Sequence, residues 1–197
     1  DIILQTNCFE SLIVQYQILE NPAIIAPKQL NAKKVELPSY KVNTFIDDCL
    51  NLFYVFKPFQ RFKAIKLHDN TGKNAMKVEM ISGSFMFTSL SVFKKMDFFF
   101  PDTFLFSEER FIATKAKKMG LNNYIILNQS YIHNHSKTIN SVYNIVEKYK
   151  LLYDGWLKYT LTYRSHGKLK AKVLKFLMKL SLVELKLIYT IKNKLLQ

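Results

Sequence analysis

Two adjacent glutamates, Glu108 and Glu109, stand at the head of "EERFIATKAKKMG", and His133 and His135 follow in "YIHNHS". A positioned carboxylate can take a proton from a hydroxyl. A histidine can ligate a metal, orient a hydroxyl or phosphate, or serve only packing. The helix macrodipole also favours two acids in a first turn without any chemistry. Context separates these readings. The apolar run "PDTFLF" precedes the pair and would hold the helix start against a core rather than in open water. An acid and a histidine near the carboxyl ends of neighbouring strands are where open α/β sheets keep their ligands. A glycosidase pairing is excluded, because such enzymes hold two carboxyl groups roughly 5–9.5 Å apart across the scissile bond. Sequence-adjacent acids on a helix start diverge instead.

These residues need elements to hold them. Ser107 stands where it can cap the acidic helix, Ile112, Ala116 and Met119 share one of its faces, and Gly120 ends it. Upstream, "DIIL" reads as a short buried strand, Phe9 to Leu19 as a helix, and "PAIIAP" (Pro22 to Pro27) as a second strand. Strand, helix, strand suggests part of an α/β unit. Residues 28–75 read as irregular and polar, broken by "LFYVFKPF", with a turn at Asp69–Gly72. "MKVEMISGSFMF" alternates apolar and polar residues up to a small-residue break at Ser82–Ser84, and "NYIIL" is a further short strand. His133 and His135 are expected just past that strand.

From Ser141 the character changes. Two helical patterns run Ser141–Tyr163 and Lys168–Leu196, separated by "RSHG". In the second, Leu169, Val173, Leu177, Leu180, Val183, Leu187 and Ile191 recur at helical spacing, with Lys170, Lys172, Lys175, Lys179, Lys186, Lys192 and Lys194 interspersed. The sequence therefore divides into 1–140, an α/β part, and 141–197, a helical basic tail. That tail suits either an amphipathic helix packed on the body or one lying in the interface of an anionic membrane.

Composition bounds the function classes. The chain has 197 residues, 49% of them apolar, with Phe 16 and Tyr 11, enough for one sizeable core or a core plus a helical appendage. Gly and Pro, at five each, are too scarce for a collagen-like or linker-like chain. The net charge of +14 implies phosphate-rich partners: nucleic acid, nucleotides or an anionic membrane surface. Cys8 and Cys49 have neither metal-finger nor redox-motif spacing and are expected as free thiols in a reducing compartment. No secretory signal pattern is present, and no charge-free apolar run reaches the ~18 residues of a spanning helix. A cytosolic protein is expected, or one attached to a membrane from the cytosolic side. The chain opens on Asp1 and an apolar run, which reads like a piece of something longer.

Order and spacing add a resemblance. Ser82–Gly83, Val92–Phe93, Phe100, Phe104–Phe106, Glu108–Glu109, Gly120 and His133 follow one another as in the acceptor-side half of a family 2 glycosyltransferase with the GT-A fold. The version with two glutamates and a terminal H-x-H-S most resembles bacterial transferases of capsule, O-antigen and exopolysaccharide synthesis, rhamnosyl- and galactosyltransferase-like members included. The resemblance covers roughly residues 1–140. It implies a partial GT-A, Rossmann-like domain followed by C-terminal amphipathic helices. It also implies an inverting transfer from a nucleotide sugar to a lipid-linked saccharide acceptor at the inner face of the plasma membrane. By the same match Glu109 is the general base, Glu108 supports it, and Ser82, Gly83 and Phe106 bind acceptor sugar. His133 and His135 are candidates for metal or phosphate.

A family member would hold Mg or Mn under the diphosphate with an aspartate after the first strand. Here Asn7, Cys8 and Phe9 occupy that place, with no oxygen ligand for a hard cation. The preceding sugar-nucleotide half is not in these residues, so the chain reads as part of a longer enzyme or as a degenerate, inactive scaffold. A nucleic-acid-binding protein is the main non-enzyme alternative. It is disfavoured because the lysines concentrate in a tail that also carries a broad apolar stripe, with no nucleic-acid motif.

Overall fold

The computed structural model describes residues 2–4, 8–56, 65–67, 74–103, 105–134 and 142–195, with side chains as far as Ile191. The expected turn at Asp69–Gly72 and the residues Asn7, Phe104 and His135 lie outside them. The chain forms two compact units. One comprises Asp1–Val42, Ala64–Phe100 and Glu108–Val142, and the other Asn43–Lys63, Pro101–Ser107 and Tyr143–Gln197. The division is thus not a single cut near residue 140, because two inner segments go with the tail.

The first unit is mixed α/β. Its long strand β4 (Asn122–His133) pairs in parallel with β2 (Pro22–Leu30) and antiparallel with β1 (Ile2–Leu4) and β3 (Ala75–Val78). β2 runs along one edge of β4. β3 takes the other edge at Asn123–Ile126, and β1 takes it further on at Tyr131–His133. The parallel pair explains its own sequence: Ala23–Pro27 and Asn123–Leu127 are buried without a break, as strands covered on both faces must be. Period-two alternation then divides the layers. Tyr124 and Ile126 pack towards helix α1 (Phe9–Ile18) through Cys8 and Leu12. Ile125 and Leu127 pack with Ile112 and Ala116 of the acidic helix.

Three sequence expectations are corrected here. "DIIL" is a strand but not a buried one: Ile2 and Ile3 are 41% and 52% exposed, because β1 lies at a sheet edge. "NYIIL" is only the start of a strand of 12 residues, since pairing with β1 and β2 carries the polar stretch Asn128–Ser130 along. His133 therefore ends the strand instead of following it. Pro27 leaves its mark as a register shift between Pro27 and Lys28, where the ladder lacks a donor.

Helix α2 (Phe45–Asn51) lies in the stretch read as irregular. Its signal was local: Thr44 and Asp47 close a reciprocal capping box, Thr44 Oγ1 accepting from Asp47 N and Asp47 accepting from Thr44 N. Helix α3 (Leu90–Lys95) starts on Ser89, whose Oγ accepts from Val92 N at 3.2 Å. The acidic helix, α4 (Glu108–Lys118), ends as expected. Gly120 takes a left-handed φ of 68°, Gly120 N donates to Lys117 O, and Leu121 N donates to Ala116 O. These are the two bonds of a Schellman termination. Its apolar face is narrower than read, because Met119 is exposed while Ile112 and Ala116 are buried.

The second unit is helical. α2 packs with α5 (Ile145–Tyr163) and α6 (Gly167–Leu195) around Leu52, Tyr153, Trp156, Leu174 and Met178. Asn144 and Glu147 cap α5 with a second reciprocal box. Asp48 on α2, wholly buried, pairs with Arg164 after α5. The same guanidinium donates to Asn43 O and lies over the rings of Phe45 and Tyr159. Tyr153 Oη and Ser181 Oγ are hydrogen-bonded, and Ser181 Oγ donates to Leu52 O. α6 turns Leu174, Met178, Ser181 and Leu185 inward. Most of the apolar stripe read from the sequence is exposed instead: Leu169, Val173, Leu180, Val183, Leu187 and Ile191 all face solvent.

Candidate functional site

In the sheet unit Glu108 opens α4, and its carboxylate lies on Gly83, in the loop after β3. A Cβ at position 83 would stand 2.7 Å from Glu108 Oε1 and 3.4 Å from Cδ. Gly83 has no left-handed φ, so the backbone there would accept any residue. What glycine provides is room for the carboxylate. The sequence reading expected a close approach at Gly83 by a sugar, and the group that makes it is the acid itself. Glu108 Oε2 is buried and accepts no hydrogen bond among the described residues.

The loop under Glu108 is tied down from the strand side. Ser82 Oγ and Ser84 Oγ are 2.9 Å apart, and Ser84 Oγ is 2.7 Å from Tyr131 Oη. Tyr131, 1% exposed on β4, also packs its ring against Phe85 at 5.3 Å. Burial pushes its phenol above the usual range, against the smaller opposing effect of the bonds to Ser84 and Ser82. Tyr131 thus holds the Ser82–Gly83–Ser84 turn as an uncharged hydroxyl. Neither Tyr131 nor Ser84 was singled out from sequence. The available signal was position: Tyr131 lies two residues before His133 and so on the same sheet face.

Backbone strain marks the approach to Glu108. Phe106 and Ser107 both take left-handed φ, 67° and 71°. Such residues cost of order 1–3 kcal/mol each and persist where the surroundings over-determine them, often at functional sites. This also removes Ser107 as the helix cap. A capping residue needs extended φ and an oxygen turned to the helix amides, whereas Ser107 Oγ is buried with no hydrogen-bond partner among the described residues.

The other expected residues are placed as follows. Glu109 is half-buried on the same first turn, about 100° further round the helix, so the two acids point apart. Phe106 belongs to the segment Pro101–Ser107 of the helical unit. His133 is half-buried at the end of β4, where Gln29 Nε2 and His133 Nδ1 are hydrogen-bonded at 2.9 Å. That bond ties the ends of β2 and β4. Of the positions aligned with a metal-binding element, Cys8 is fully buried against Leu12 and Ile25, and Phe9 is an exposed ring. Among the described residues no group of three or more His, Cys, Asp or Glu could hold a metal ion. Cys8 and Phe9 offer no oxygen ligand to a hard divalent cation.

Chemically, the arrangement offers a carboxylate whose buried oxygen accepts nothing among the described residues, set beside a turn rich in hydroxyls. An incoming hydroxyl can satisfy that oxygen and lose its proton to it. Both cysteines are free thiols. No protein-family model matches the chain, and no curated protein or solved structure is significantly similar to it.

Proposed function

We propose that the chain is the acceptor-side part of an inverting glycosyltransferase that moves sugar from a nucleotide sugar to a lipid-linked saccharide in bacterial cell-surface polysaccharide synthesis. The observation that carries the reading is the Glu108 carboxylate on Gly83, with one oxygen buried and accepting nothing among the described residues. In the reaction a glutamate takes the proton of the acceptor hydroxyl as its oxygen attacks the anomeric carbon. The bond from that carbon to the diphosphate oxygen breaks, and the nucleoside diphosphate leaves. The geometry favours Glu108 for this role with Glu109 in support, the reverse of the order expected from the resemblance. The Ser82 and Ser84 hydroxyls, held by Tyr131, offer hydrogen bonds to the acceptor sugar. No step runs through a metal.

The test is transfer from a panel of nucleotide sugars to a polyprenyl-diphosphate saccharide, measured in the active enzyme with Glu108→Gln and Glu109→Gln. Glu108→Gln is expected to lower turnover by ~10²-fold or more, as on removal of a positioned base. Donor binding should stay unchanged. Full turnover in both variants would sink the mechanism, and loss in Glu109→Gln alone would return the role to Glu109. A second reading, a scaffold without turnover, draws on Cys8, which fills with a buried thiol the place where a metal-holding carboxylate would stand. It predicts no transfer from any donor, with saccharide binding to the 197-residue chain retained.

A further inference from the structure

Helix α6 presents a second apolar face, separate from the one that packs in the helical unit. Leu169, Val173, Phe176, Leu180, Val183 and Leu187 recur at spacings of four and three and are all exposed, Leu169 by 65% and Phe176 by 61%. At about 100° per residue these six fall within an arc of about 80°, centred about 150° from Leu174, Met178, Ser181 and Leu185. Lys168, Lys172, Lys175, Lys179 and Lys186 are exposed too, and share an arc centred about 90° from the apolar one. The one acid of the helix, Glu184, is engaged elsewhere, accepting from Tyr54 N at 3.0 Å. The outward surface is therefore an apolar stripe edged by cations.

We propose that this face docks α6 in the plane of an anionic lipid surface. The stripe sinks to the boundary of headgroups and acyl chains, and the lysine stems let their ammonium groups reach lipid phosphates. Charge selects this occupant. A second copy of the helix would set five lysines against five. A nucleic acid would match the lysines but leave Phe176 and Leu180 in water. A surface both apolar and anionic matches both arcs. The helix lies on the bilayer and does not cross it, because among the described residues no helix is long and apolar enough to span. Lysines along its whole length would have to sit in hydrocarbon. This surface is independent of Glu108 and stands whether or not the chain transfers sugar.

The experiment is co-sedimentation of the 197-residue chain with vesicles of phosphatidylcholine alone or mixed with phosphatidylglycerol. Binding is expected only with phosphatidylglycerol and should fall as salt is added. Phe176→Glu with Val183→Glu should weaken it by at least about tenfold. Each of Lys172→Gln, Lys175→Gln and Lys179→Gln should weaken it by about fivefold. All these positions are exposed, so the circular dichroism spectrum and urea midpoint should hold. Leu180→Ser serves as a milder check where the double variant unfolds. Equal binding to neutral vesicles would overturn the proposal. So would undiminished binding by the folded double variant, or self-association through this face with no vesicle binding.

Discussion

In the helical unit Asp48 is wholly buried and ion-paired with Arg164, whereas in the sheet unit Glu108 rests on Gly83 with one oxygen that accepts nothing among the described residues. The first acid is part of the framework. Its partner also donates to Asn43 O and is covered by Phe45 and Tyr159, so the pair is sealed by neighbours that need it. The second acid has been given space and left short of donors. Burial by itself does not make a carboxylate functional. The distinguishing feature is the cation: Arg164 lies against Asp48, and no cation pairs with Glu108 among the described residues.

The contrast breaks most visibly at Arg164. Arg164→Met should cost about 3–5 kcal/mol in urea unfolding, because it strands a buried charge. Adding Asp48→Leu should return much of that, since replacing both members of a buried pair by apolar groups is often neutral. If the single substitution costs less than about 1 kcal/mol, the pair is not the framework described here. Glu108→Gln should behave oppositely, with little change in urea midpoint beside its loss of turnover.

A smaller effect is expected where the strained segment before Glu108 meets α5. A methyl on Gly155 would stand 2.7 Å from Ser107 Oγ and 2.9 Å from its Cβ, and a Cβ cannot swing aside. Gly155→Ala should destabilise by about 1–3 kcal/mol, despite the gain in helix propensity. Ser107→Gly removes the clash and suits the φ of 71°, so the double variant should recover. A double-mutant cycle showing strict additivity would refute the contact.

The alkaline limb of stability probes the helical core. Burial pushes the Tyr153 phenol up to about 12, outweighing the opposing bond to Ser181. Unfolded chains release that proton near the ordinary tyrosine value of about 10, so between these values the folded state binds more protons. Stability falls as pH rises, by about 1.4 kcal/mol per unit for this residue. The contribution is fully present below about pH 10 and lost as pH approaches about 12. Tyr153→Phe should flatten that slope in urea midpoints measured from pH 9 upward, and an unchanged slope would assign it elsewhere.

The smallest effect on the fold is expected at Gly83. Its new methyl would meet the far end of a flexible side chain, so Gly83→Ala should change the urea midpoint by no more than about 0.5 kcal/mol. Turnover should drop, because the carboxylate must move. Unchanged turnover would separate the Gly83 contact from the chemistry.

The short-range grammar of the chain was decided by sequence. Gly120 stopped α4 because only a residue at ease with left-handed φ makes that termination. The turn at Ser82–Ser84 and the start of strand pairing at Tyr124 were legible from small residues and apolar runs, as was the break before α6. The box of Thr44 and Asp47 is equally local, a Thr followed three residues later by an acid. Tertiary structure decided which faces are buried. Periodicity marked the Leu169–Ile191 stripe, but the residues that pack are Leu174, Met178 and Leu185, since α2 and α5 meet the helix on that side. Ser107 looked like a cap by type and lost the role to its own backbone, which takes a left-handed φ where a cap needs an extended one. That Glu108 and not Glu109 lies on Gly83 could not be read in one dimension. The two acids differ by one position in sequence but by about 100° on the helix, and only the fold brings Gly83 under one of them.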